Sequence, residues 1–143
     1  MAAMSDRLEF LLASHILGSG TFSKPATIAV ALCKDPPTDA KTGATINEIS
    51  NANAYARQTI NPSSSNWLDP ILADGNCGNL ATITFPADTT ADWGWVSGVA
   101  ICSSATYGAG DMYFYGALTT PKLIQVGDQM VFGVSGITIQ MDN

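Results

Sequence analysis

The stretch ADWGWVSGVAIC, residues 91–102, decides how this chain is read. In an extended backbone, successive side chains point to opposite faces. Trp95, Ser97, Val99 and Ile101 then share one face, and Val96, Gly98, Ala100 and Cys102 share the other. The first face is expected to be core, with Trp95 packed at its end. Gly94 marks a bend, which leaves the direction of Trp93 open.

Outward from this stretch the same period of two recurs. ATIAVALC (26–33) places Ile28, Val30 and Leu32 on one face and Ala29 and Ala31 on the other. The small residues imply close packing there, with a helix as the natural cover. YARQTI (55–60), NLATITF (79–85), MYFYGAL (112–118), KLIQV (122–126), QMVF (129–132) and GITIQM (136–141) follow the pattern. Each is rich in β-branched or aromatic residues and is bounded by turn formers. Gly127-Asp128 and Ser135-Gly136 supply tight turns between the last three. Many short strands without alternating helices indicate a sandwich or jelly roll, not βαβ units.

Only residues 5–17 follow a helical period, with Leu8, Leu11, Leu12 and Ile16 at helical spacing. Ser5 or Asp6 can cap the start, and Gly18 supplies the stop. The expected fold is mainly β: a jelly-roll-like antiparallel β-sandwich with a short N-terminal α-helix. It forms one domain over 1–143, with the helix at about 5–17 and strands over about 26–141. Two turn-rich segments, 34–54 and 61–78, carry Ile46, Ile49, Trp67 and Leu68, which the strand pattern does not place. Structureless segments of that length are usually functional or disordered, and the apolar residues inside the second imply that it is pinned to the sandwich or to a neighbouring chain.

A chain of 143 residues can hold a real core without metal or disulfide staples. Charged residues make up 13%, against about 25% in an ordinary domain, so the surface is either built from Ser, Thr, Asn and Gly or partly covered by other chains. The net charge is −6, and the scattered lysines and arginines form no basic stripe, so no nucleic-acid partner is expected. No apolar run approaches the roughly 18 residues of a membrane span. Acidic residues ahead of FLLASHILG argue against a signal peptide.

No catalytic, cofactor or metal site is expected. Cys33, Cys77 and Cys102 lack zinc spacing and are read as buried or half-buried thiols, with an interchain disulfide as the alternative. His15, the only histidine, sits among leucines and is read as packed or at an interface. DGNCGN (74–79) lacks the acidic spacing and terminal Glu of an EF-hand loop. Ser103, Ser104 and Thr106 have no nucleophile-elbow frame. Tyr113 and Tyr115 share a strand face opposite Met112 and Phe114, and are better placed for exposed contact than Trp95.

The ensemble resembles a family of small tailed-bacteriophage virion proteins, described as tail-fibre-like or structural. The resemblance rests on SDRLEFLLASHILG, PATIAVALCKDPPTDA, YARQTI, ATITFPADTTADWGWVSGVAI and YGALTTPKLIQVGD, and it spans most of the chain. Tyr-Ala-Arg-Gln at 55–58 and Gly-Ala-Leu-Thr-Thr-Pro-Lys at 116–122 are its most specific pieces. The chain departs from the family at Cys33 and at Ile101-Cys102-Ser103. The resemblance implies a non-enzymatic virion protein, made in the host cytoplasm and assembled on the particle. The leading expectation is capsid decoration, as a cement protein bound to the major capsid protein, most simply as a trimer. The alternative is a tail, fibre or baseplate component with tail proteins as partners. A third reading is a carbohydrate-binding module using Trp93, Tyr113 and Tyr115. The candidate interface residues are Leu8, Leu12, Trp67, Leu68, Tyr113 and Tyr115.

Overall fold

The computed structural model describes residues 2–72, 75–87 and 90–140. In chain order they form β1 (Ala3–Met4), α1 (Asp6–Leu17), β2 (Ala29–Cys33), β3 (Gln58–Thr59), β4 (Asn76–Gly78), β5 (Ile83–Phe85), β6 (Gly94–Cys102), β7 (Met112–Ile124), β8 (Met130–Phe132) and β9 (Thr138–Gln140), with a 3-10 turn at Pro70–Leu72. The chain is therefore mainly β with one short N-terminal helix, as its patterning predicts. Met141, the last residue of the expected final strand, and Asp74 of the DGNCGN segment lie outside the described residues.

Five strands make one antiparallel sheet in the order β1-β7-β6-β2-β3. Two ribbons, β4-β9 and β5-β8, complete the pairing. Their apolar residues (Ile83, Phe85, Met130, Phe132, Ile139) form one core cluster with Val30, Leu32, Val99 and Ile101 of the sheet. The result is a two-layer β arrangement whose second layer is split. A jelly roll would pair its strands into two four-stranded sheets, and the register does not give that. The long β6 and β7 close a hairpin inside one sheet, whereas β4, β5, β8 and β9 are three residues each and pair only locally.

The hairpin also explains where the two tryptophans go. Gly94 has φ +81°, a left-handed conformation that glycine adopts without steric cost. It turns Trp93 inward: this indole is 7% exposed, and its Nε1 donates to the Asn53 carbonyl at 2.8 Å. Trp95 is 58% exposed, which corrects the expected core packing. The cause is a break in register. Val96 pairs with Lys122 but Gly98 pairs with Ala117, so β7 contributes extra residues between these two rungs. Alternation changes phase there: Val96 joins the core together with Val99 and Ile101, and Trp95 falls on the outer face. The two strands expected at 112–118 and 122–126 are one bulged strand for the same reason.

The sheet's second face carries Ala31, Cys33, Ala100, Cys102 and Met112. Its cover over Ala31 and Ala100 includes Ile46 of the 34–54 segment, while the helix expected there packs at the β7 side, with Asp6 and Glu9 near Tyr115. A Cβ on Gly98 would lie 2.7 Å from the Cα of Pro36, so the glycine is what lets this segment cross the strand. Asn47 and Ile49 then pair with the edge of β2, and the Tyr55 hydroxyl accepts the Leu32 N–H at 3.0 Å where no strand reaches. The α1 helix lies beside β7. Ser5 caps it, accepting from Leu8 N–H at 3.3 Å, and Gly18 N–H closes its end on the Ser14 carbonyl at 3.0 Å.

Candidate functional site

The geometry offers surfaces for assembly and little reactive chemistry. Among the described residues, no group of three or more His, Cys, Asp or Glu side chains could hold a metal ion. His15 accepts a hydrogen bond at Nδ1 from Phe22 N–H, at 3.1 Å, which folds the chain back on the helix. All three cysteines are free thiols. Burial pushes Cys102 up to about 11, and burial followed by the nearby Glu48 carboxylate pushes Cys33 up further. Such thiols stay protonated and unreactive near neutral pH.

Among the described residues, apolar surface lies open at several places, of which three bear on assembly. The first is the outer side of α1. Leu8 is buried and Leu11 and Leu12 are half-buried, yet Phe10, Ile16 and Leu17 are 63%, 73% and 87% exposed. The second is a groove of about 600 Å³ between the sheet, β4-β9 and residues 62–70. Ile101, Phe114 and Ile139 line it from the two layers, Trp67 and Leu68 from the loop, and Lys24 and Asp69 add charge. The third is the Trp95–Leu123 pair, directly opposed across β6 and β7 on the outer face. Single exposed apolar residues are ordinary, whereas contiguous ones mark contact sites.

The expected interface residues divide between these surfaces and the core. Trp67 and Leu68 come together at the groove, with Leu68 half-buried. Trp67 is only 8% exposed, and its Nε1 donates to the Ile60 carbonyl at 3.0 Å, so most of the indole serves the protomer's own core. Ile46 and Ile49 are likewise buried within the chain. Leu8 is buried and Leu12 half-buried, facing inward. Tyr115 is half-buried against the second-face cluster. Tyr113 is 9% exposed, with Phe22 edge-on to its ring at 6.0 Å, so the expectation that it is more open than Trp95 is reversed. With Trp93 and Tyr113 both enclosed, the three-residue carbohydrate platform has no open face.

Sequence patterning missed Phe10, Leu17 and Leu123 as surface residues. The signal for the first two is in the sequence: six of the eight residues of FLLASHIL (10–17) are apolar and spread around the helix, and one core can cover only one side. Nothing local announced Leu123, whose exposure follows from the bulge.

A family model matching residues 3–140 puts the chain among phage virion structural proteins of the fibre-like kind. That family is described as Podophage GP4 fiber I protein gp80, and this chain belongs to it. No curated protein matches the chain.

Proposed function

We propose that this chain is a non-enzymatic structural component of a phage fibre, built into the virion as a homo-oligomer. The family match over residues 3–140 carries this reading. The family's description names a fibre protein, which favours the fibre over the head shell as the site of attachment. Shell decoration, the leading expectation from sequence, has no comparable support. The chain has no internal repeat from which to wind a shaft, so it suits a globular segment of the fibre. A closed ring of copies, a trimer in the simplest case, would cover the apolar surfaces that a lone protomer leaves open. Its partners are then copies of itself and the tail proteins next to it.

Antibody labelling of intact particles, viewed by electron microscopy, tests the placement. Label confined to fibres supports it. Label distributed evenly over the head shell overturns it in favour of decoration.

A further inference from the structure

We propose that the outward stripe of α1 (Phe10, Ala13, Ile16, Leu17) seats in the apolar groove beneath residues 62–70 of a second copy of this chain. This rests on the homo-oligomer reading above and supplies its contact.

The helix calls for a second cover. Its inward side is taken by Leu8, Leu11 and Leu12, while Leu17 is 87% exposed on the other side. Contiguous apolar side chains left open on a helix face mark a contact site. Residues 10, 13 and 17 stand at i, i+3 and i+7, the spacing with which helices anchor in grooves. Asp6, Arg7 and Glu9 all precede the stripe, so seating its C-terminal half takes no carboxylate or guanidinium out of water.

The groove matches that half in shape and charge. Its volume of about 600 Å³ holds several large side chains but not a whole helix, so α1 lies across the mouth and inserts them. No α1 residue of the same chain lines it. Lys24 stands in its lining, and a helix C-terminus carries partial negative charge that favours a cation. Asp69, also in the lining, is exposed and can stay in solvent. Stripe and groove are different surfaces, so the contact is head-to-tail, and in the closed homo-oligomer proposed above every copy gives one helix and accepts one.

Cys77 lines the groove and is half-buried, whereas Cys33 and Cys102 are fully enclosed. This allows a direct test. In the full chain carrying Leu17→Cys, oxidised glutathione should link chains into dimers and higher species on a non-reducing gel. Adding Cys77→Ser should abolish the ladder. In parallel, Leu17→Asp should dissociate the oligomer in sedimentation while its circular dichroism stays unchanged. A ladder that survives Cys77→Ser, a disulfide closed within one chain, or no cross-link in an oligomeric protein overturns the contact. So does an oligomer that persists with Leu17→Asp. A wild-type chain that sediments only as a monomer overturns the oligomer reading itself, and the contact with it.

Discussion

Arg57 and Glu48 form an ion pair closed off from solvent: Nε meets Oε1 at 2.9 Å and Nη2 meets Oε2 at 2.7 Å, with the side chains 0% and 2% exposed. The remaining guanidinium donors reach the carbonyls of Gly43, Ser104 and Ala109, and the Tyr55 hydroxyl donates to Oε1 at 2.8 Å. One cation thus ties the 34–54 segment to the β6–β7 connection. Burial opposes the Arg57 charge, and the hydrogen bonds and charge of Glu48 outweigh that opposition, leaving its pKa raised. Breaking such a pair strands a buried charge. Glu48→Gln should lower stability by about 3–5 kcal/mol in urea denaturation. Combining it with Arg57→Met should cost less than the sum of the two single changes.

The buried thiols set an alkaline limit. Cys102 moves from 9.0 to about 11, chiefly through burial, and Cys33 and Tyr55 move up for the same first reason. The folded chain therefore holds protons that the unfolded chain releases. Stability is unaffected by Cys102 below about pH 9 and falls as pH rises from there to about 11. The slope is about 1.4 kcal/mol per pH unit for each such group. Cys102→Ala should flatten the decline by about one group's share in denaturation curves taken across that range.

Tryptophan fluorescence should separate one residue from the other two. Trp95 is 58% exposed, whereas Trp67 and Trp93 are 8% and 7% exposed. Iodide should quench a single component in the protomer, and Trp95→Phe should remove it. Because no core contact is lost, that change should alter stability by no more than about 0.5 kcal/mol.

The two sides of α1 should answer differently to truncation. Leu8 is 5% exposed, and Leu8→Ala should cost about 2–5 kcal/mol in thermal or urea unfolding. Leu17→Ala should leave protomer stability within about 0.5 kcal/mol of wild type. Equal losses at concentrations where the chain sediments as a monomer would show that the outer side is already covered in the protomer.

Asn79 joins the two ribbons. Its Nδ2 donates to the carbonyls of Ala81 and Gly133 at 2.9 and 2.7 Å, and its Oδ1 accepts the Ile137 N–H at 2.8 Å. The residue is fully buried. Asn79→Ala removes the side-chain partner of the Ile137 N–H and the Ala81 carbonyl, while the Gly133 carbonyl keeps the Gly136 N–H at 2.9 Å; the cost is about 1–3 kcal/mol for each group left unpaired away from water. Asn79→Asp should fail as well, since an ionised carboxylate donates nothing to the two carbonyls. Thermal unfolding of both variants checks this.

What could be read from sequence followed from local periodicity. The helix with its Ser5 cap, the alternation of Val30 and Leu32 against Ala31, and most strands were visible because each depends on neighbours along the chain. The errors came from long-range geometry. The phase change that exposes Trp95 depends on a bulge in the partner strand, more than twenty residues later. Ala3–Met4 and Asn76–Gly78 are strands only because Tyr115 and Ile139 lie beside them. The cover over Ala31 and Ala100 comes from a Pro- and Thr-rich segment with no period at all. For the candidate site, Trp67 and Leu68 stand out in the sequence as apolar residues that the strand pattern does not place. The groove between them and Ile101 required two layers that no single stretch describes.

The split second layer gives the protomer a graded dynamic range. Amides of β2 and the adjoining part of β6 sit in a ladder of five continuous rungs at the sheet centre, flanked by β3 and β7. They should exchange their hydrogens only through global unfolding. The ribbon β4-β9 has three rungs and is held at its flanks by single bonds, Ala2 N–H to the Thr138 carbonyl and Leu68 N–H to the Gly78 carbonyl, so its amides are more open to exchange by local fluctuation than those of the sheet centre. That ribbon is also a wall of the groove. The entrance can thus breathe on a faster timescale than the core melts, and an arriving side chain meets a wall that yields while the sheet behind it holds.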